Sequence, residues 1–267
     1  MLSIFQYDFM VRAFIAGIII ALLAPLIGVF LVVRRYSLLA DTLSHVSLVG
    51  VATGVLFKFN PILGAVVVST VAALGMEKLR ESRKMFGESI LALFLSGSLA
   101  VALVLLGLAH GLNVNIFSYL FGSITTVSKN DLYIIGALGL VVGVVIVLLF
   151  KKFFLVSYDE ELAKANGLPV SFLNATLMVL AAVTVSLSMR IVGVLLIGAL
   201  MVIPVLTAVQ LGTSFFKTAL YAIVVSVFSV MVGLIASFYL NLPSGGTVVV
   251  VALMVFALSL LLSKHRH

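Results

Sequence analysis

The chain has 267 residues, 63% of them hydrophobic and only 9% charged, where a water-soluble domain carries about 25% charged residues. Composition therefore excludes a soluble globular domain and makes lipid the solvent. The formal net charge of +7 does not point to nucleic acid, because the bases sit in short clusters between apolar runs, the pattern that sets membrane topology. There is no cysteine, which excludes disulfides and thiolate metal sites.

Nine apolar runs match the length that crosses about 30 Å of hydrocarbon: 11–33, 37–57, 61–76, 88–109, 131–150, 170–189, 191–211, 218–240 and 246–262. The residues before the first carry Asp8 and no base, unlike a positive secretory n-region, so the first run is expected to be retained. Helices are expected, because each segment must satisfy its own backbone and barrel alternation is missing. With the N-terminus outside, the cytoplasmic side collects Arg34, Arg35, Lys78, Arg80, Arg83, Lys84, Lys151, Lys152, Lys164, Lys217, Lys264 and Arg266. The outer side keeps Arg12, Lys58, Lys129 and Arg190, a division of twelve against four that follows the positive-inside rule. The spacings Gly50–Gly54 and Gly139–Gly143 place small residues one turn apart and read as helix-packing positions.

The second run, LLADTLSHVSLVGVA, holds Asp41 and His45 four residues apart, which puts them on one helix face about 6 Å from each other. Counted from Arg35, His45 lies about 15 Å into the membrane. An aspartate at such depth costs about 2.5–3.5 kcal/mol on insertion scales, so a reason for it is required. Three readings fit. A carboxylate and an imidazole suit zinc or manganese, with Ser44 and Ser47 adding oxygen; the same pair can fix a helix by hydrogen bonding; and Asp with His also builds proton relays. His110, at the outer end of the fourth run, reads as an interfacial residue, and His265 and His267 as part of a basic cytoplasmic anchor.

Between the fifth and sixth runs, SYDEELAKANGLP (157–169) reads as a helix outside the bilayer. Ser157 is expected at the N-cap with Glu160 as its capping-box partner, and Asp159, Glu160 and Glu161 suit the positive end of the helix dipole. Gly167 supplies a left-handed position and Pro169 prevents continuation, giving a helix of about nine residues. It serves either as an ordinary connector or as a handle for a motor subunit. No Gly-x-x-x-x-Gly-Lys-Ser/Thr stretch occurs, so an ATPase acting on this chain would be a separate protein. In the seventh run Pro204 removes a backbone hydrogen bond, which permits either a static kink or a bend during transport.

These stretches resemble the membrane permeases of zinc, manganese and iron ABC importers, over essentially the whole chain from QYDFMVRAFIAG to LPSGGTVVVVAL. Asp41, His45 and Gly50 look like that family's Asp-x-x-x-His signature and following glycine. VGVLLIGALMVIPVLTA (Val192–Ala208) looks like its second hallmark, and DEELAKANGLPV (Asp159–Val170) is similar to its coupling-helix region. The resemblance implies an all-α, polytopic bundle of about nine transmembrane helices in one domain, 1–267, with a coupling helix near 157–168, like the cobalamin and siderophore importers. It implies Asp41 and His45 as transient metal ligands, with Ser44, Ser47 and Pro204 as further path residues. Asp159, Glu160, Glu161, Ala163 and Gly167 would couple to a cytoplasmic ATPase, and a second permease copy would complete the path. An extracellular metal-binding protein would dock near Arg12 and the 111–130 loop.

The expected setting is a bacterial cytoplasmic membrane. The metal is cargo, no permanently bound cofactor is expected, and nucleic acid is not a partner. Ala40 before Asp41, and Leu48-Val49 before Gly50, look closer to the zinc members, since manganese members more often place glycine and proline there; manganese and iron are the alternatives. An ion-coupled secondary transporter is a rival, though no inverted repeat is visible. An intramembrane metalloenzyme lacks the His-Glu-x-x-His pattern it would need.

Overall fold

The structure, a computed structural model, describes residues 6–82, 86–108, 116–211 and 214–263. His110, His265 and His267, and the bases Arg83, Lys84, Lys264 and Arg266, lie outside the described residues. Regular structure among the described residues is entirely helical. In chain order it comprises α1 (Asp8–Val33), α2 (Leu38–Leu56), α3 (Pro61–Glu81), α4 (Gly87–Leu108), a short α5 (Ile116–Phe121) and a 3-10 turn (Ile124–Thr126). Then follow α6 (Lys129–Tyr158), α7 (Glu160–Ala165), α8 (Val170–Ser188), α9 (Ile197–Val209), α10 (Phe215–Leu240) and α11 (Ser244–Ser263).

Helix starts follow local chemistry. Asn60 accepts from the Ile62 and Leu63 amides at 2.9 and 3.4 Å with Pro61 in the first helical position, where its missing N–H costs nothing. Ser128 and Asp131 form a reciprocal capping box, each hydrogen bond 3.1 Å long, that opens α6.

Eight of the helices are long and apolar enough to cross a membrane. The expected run 191–211 differs: only Ile197–Val209, 13 residues, is helical. The preceding backbone turns instead, with Gly193 at φ +87°, a conformation open to glycine but strained for other residues. Its groups are satisfied from outside the segment: Val194 N–H donates to the Tyr119 carbonyl at 2.9 Å, Leu195 N–H to that of Leu120 at 3.2 Å, and Ser244 Oγ donates to the Ile191 carbonyl at 2.7 Å. Ile191, Val192 and Val194 are fully buried, a setting in which irregular backbone is tolerated inside a membrane bundle.

α1 lies at the centre, packed against α6, α8, α9 and α10, while α2 packs on α3, α4, α8 and α9. Near the C-terminal end of α1, Phe30 meets Phe150, Phe153 and Phe215 at ring-centroid separations of 5.3, 5.7 and 5.4 Å, aromatic contacts worth about 0.5–1.5 kcal/mol each beyond their buried area. Close backbone approach uses small residues, as expected where lipid supplies no hydrophobic drive. A methyl built on Gly50 would stand 2.6 Å from the Gly64 carbonyl carbon, and one on Gly139 would stand 2.8 Å from Ile19 Cγ2. Gly54 against Pro61 and Gly143 against Leu23 do the same, so all four glycines singled out as packing positions lie at helix contacts.

Candidate functional site

Asp41 and His45 occupy the first two turns of α2. The helix begins at Leu38 because Arg34–Ser37 turn, with Arg35 at φ +58°. His45 is therefore about 10 Å along the helix axis from that start. Both residues are partly exposed, in line with Leu38, Val49 and Thr53 on one stripe of α2. A second partly exposed stripe, Leu195, Ala199, Val202, Leu206 and Val209, runs along the neighbouring α9 segment. The pair is thus partly exposed on this stripe rather than fully buried among helices.

His45 Nδ1 stands 2.8 Å from the Asp41 backbone carbonyl. That oxygen can only accept, so in the neutral ring Nδ1 carries the proton and Nε2 keeps the lone pair. The backbone thereby fixes the tautomer a metal ligand needs. Ser44 Oγ donates to the same carbonyl at 2.7 Å, and Ser47 Oγ to the Leu43 carbonyl at 2.7 Å. Both serines are buried and spend their protons on their own helix. Pro204 is buried inside α9.

The sequence reading did not single out Gly198. It lies in the first turn of α9, whose amides receive no side-chain cap, and the Asp41 carboxylate packs directly on it. A methyl at position 198 would meet Asp41 Oδ1 and stand 2.7 Å from Asp41 Cγ. A glycine here lets the carboxylate reach the positive end of a helix dipole. No cluster of three or more histidine, aspartate or glutamate side chains able to hold an ion occurs among the described residues.

The 157–169 stretch differs in detail from expectation. α6 continues to Tyr158, so Ser157 is not a cap; its Oγ accepts from Arg34 Nε at 3.0 Å. Asp159 caps instead, accepting from the Glu161 and Leu162 amides at 2.9 Å each, and α7 spans six residues, not nine. The C-terminal expectation holds: Gly167, at φ +74°, donates to the Lys164 carbonyl at 2.9 Å and Leu168 to that of Ala163 at 3.1 Å, a Schellman ending. Glu161 and Leu162 face outward, Ala163 is fully buried, and Glu160 turns inward.

Glu160 Oε1 accepts from Arg80 Nη1 and Nη2, each at 3.3 Å, and from Asn174 Nδ2 at 3.0 Å. Burial alone would raise the Glu160 carboxyl, but Arg80, the Asn174 amide and Arg34 outweigh it and hold it below the ordinary carboxylate range. Arg80 also forks onto Glu77 at 2.9 and 2.7 Å, and Glu77 is 3% exposed. The spacing of Glu77 and Arg80 is a sequence-level pairing signal; their link to Glu160 has none.

At the end of the bundle where α1 begins, Arg12 Nε donates to the Val127 carbonyl at 2.9 Å, so its guanidinium braces the loop before α6. Arg190 lies 3.6 Å from the Asp131 carboxylate and 4.8 Å over the Tyr119 ring.

The model of the ABC 3 transport family matches residues 6–263. A probable metal transport system membrane protein of Treponema pallidum is 37% identical over 260 residues, covering 97% of each chain. The high-affinity zinc uptake system membrane protein of Haemophilus influenzae is 31% identical, covering 96% of this chain and 98% of the relative. The manganese transport system membrane protein of Listeria monocytogenes is 28% identical, covering 99% and 94%. Among solved structures, PsaBC from Streptococcus pneumoniae in complex with Fab superposes with a TM-score of 0.86 at 29% identity, covering 97% of this chain and 92% of that one.

Proposed function

From the premise that this chain belongs to the ABC 3 transport family, we propose that it is the membrane subunit of an ATP-driven importer of divalent metal, with zinc as its cargo. The observation that carries the reading is the Asp41–His45 pair: a carboxylate and an imidazole on a partly exposed helix stripe, with Nε2 left free by the bond from Nδ1 to the Asp41 carbonyl. A soft-to-borderline nitrogen beside a hard oxygen suits zinc. The chain's likeness to a named zinc uptake protein and to a named manganese transport protein, at 31% and 28% identity, keeps manganese as the second reading.

Two side chains hold an ion loosely, which suits a path from which it must leave. A second copy of the chain would place a second pair opposite the first and close the exposed stripes of α2 and α9. With no nucleotide-binding stretch of its own, the chain takes its drive from a separate ATPase, docked at the outward face of α7 and the adjoining end of α6, where Leu162 is 47% and Tyr158 74% exposed. An extracellular metal-binding protein delivers the ion at the opposite side. The charge division supports a topology with the N-terminus outside and α7 in the cytoplasm.

The test is uptake of labelled zinc into vesicles holding the permease with its ATPase and binding protein, with manganese as competitor. ATP-dependent zinc uptake that excess manganese fails to suppress is expected. Zinc movement by the permease alone under a proton gradient would overturn the ATP-driven reading, and preferential manganese uptake would reassign the cargo.

A further inference from the structure

Glu160 lies on the α7 helix, yet its carboxylate points into the permease. It accepts from Arg80 of α3 at 3.3 Å and from Asn174 of α8 at 3.0 Å. We infer that Arg80 is the positioning residue through which displacement of α7 enters the membrane bundle, with Glu160 as its inward-facing clasp. The inference rests on the importer reading.

α7 is suited to move as one piece. Asp159 ties its first turn and the Gly167 and Leu168 amides tie its last, so a push at one end is not lost in fraying. The chain itself joins α7 only to α6 and α8. Arg80 adds a third attachment, to a helix far away in sequence. Its guanidinium is held on the other side by both oxygens of Glu77, at 2.9 and 2.7 Å. A planar fork gripped by a buried carboxylate has little freedom to swivel, so a force on its remaining N–H groups is carried by α3. Both hydrogen bonds to Glu160 are charge-assisted, and the surrounding cations keep Glu160 ionised.

From α3 the contact continues to the metal pair. α2 and α3 touch backbone to backbone at Gly50 and Gly64, little more than one turn beyond His45. No flexible side chain separates the two helices there, so a shift of α3 displaces α2 rather than being absorbed by rotamers. Glu161, one residue further on, faces away from the bundle and belongs to the docking surface. Adjacent acids on a short helix therefore divide the labour: one faces the motor and one the permease.

The experiment measures ATP hydrolysis and metal uptake in the same vesicles, using the assembled complex, for Glu160→Ala, Arg80→Lys and Glu161→Ala. Glu160→Ala leaves the Arg80–Glu77 fork intact and so tests the clasp without leaving Glu77 unpaired; Arg80→Lys keeps the charge but not the fork. Both are expected to retain the ATPase subunit on purification and to lower the metal moved per ATP about tenfold. Glu161→Ala is expected to weaken capture of the ATPase while preserving that ratio. An unchanged ratio in Glu160→Ala and Arg80→Lys would overturn the inference, as would loss of the ATPase from Glu160→Ala. If the unsubstituted complex shows no ATP-driven uptake, the importer reading itself fails, and the clasp with it.

Discussion

The carboxylate of Asp41 in α2 rests on Gly198 in the first turn of α9, a contact that leaves no room for a β-carbon. It joins the polar pair to the segment whose N-terminal part, before Ile197, is unwound, so the helix carrying the candidate ligands is in direct contact with the discontinuous helix beside it.

Gly198→Ala is therefore expected to displace either α9 or the Asp41 side chain. Overpacking of this kind costs about 1–3 kcal/mol, which lowers thermal stability in detergent without preventing insertion. Metal uptake should fall about tenfold. Uptake at the unsubstituted rate would show that the Asp41–Gly198 contact has no part in transport.

Removal of either ligand is expected to act more severely. Outer-shell substitutions cost about 10–100-fold in metal affinity, so Asp41→Ala and His45→Ala should exceed a loss of about 100-fold in uptake. Ser44→Ala removes a donor to the Asp41 carbonyl and a 3.4 Å contact to His45 Nδ1 but neither candidate ligand, and should stay within about tenfold. Zinc titration of the purified variants separates lost binding from lost movement. Equal zinc affinity in His45→Ala and the unsubstituted chain would remove His45 from the site.

The Glu160 clasp sets a pH dependence with a definite sign. Its carboxyl is held below the ordinary value, so the stabilisation of α7 is complete above the unfolded glutamate value of about 4.3. It is lost as pH falls through the lower folded value. A spin label on a cysteine placed at Lys164, in a chain that has no other cysteine, should report unchanged mobility from neutral pH down to about 4.5 and rising mobility below it. Glu160→Gln should flatten that response; a rise already complete at pH 6 would exclude Glu160 as its source.

Gly64→Ala would place a methyl against the Gly50 carbonyl and 3.0 Å from Phe59 Cε2. Prising α2 from α3 should cost about 1–3 kcal/mol, read as a lower unfolding temperature. If the relay through α3 operates, metal moved per ATP should fall too. A stability loss with the ratio intact would confine Gly64 to packing.

Much of this molecule is legible from its residues in order. Apolar run lengths give the long helices able to cross a membrane, because the cost of burying charge in hydrocarbon applies segment by segment. Asp41 and His45 share a face because four residues make about one turn, and Gly167 ends α7 through bonds that span only a few residues. Tertiary structure alone decides what depends on distant partners. Residues 191–196 can leave the helix because Tyr119, Leu120 and Ser244 satisfy their backbone; Ser157 meets Arg34 rather than capping; Glu160 turns toward Arg80; and Asp41 finds a helix start at Gly198. Periodicity and capping encode neighbours within a turn or two, whereas these contacts are chosen by which helices pack together, information that no local stretch of the chain contains.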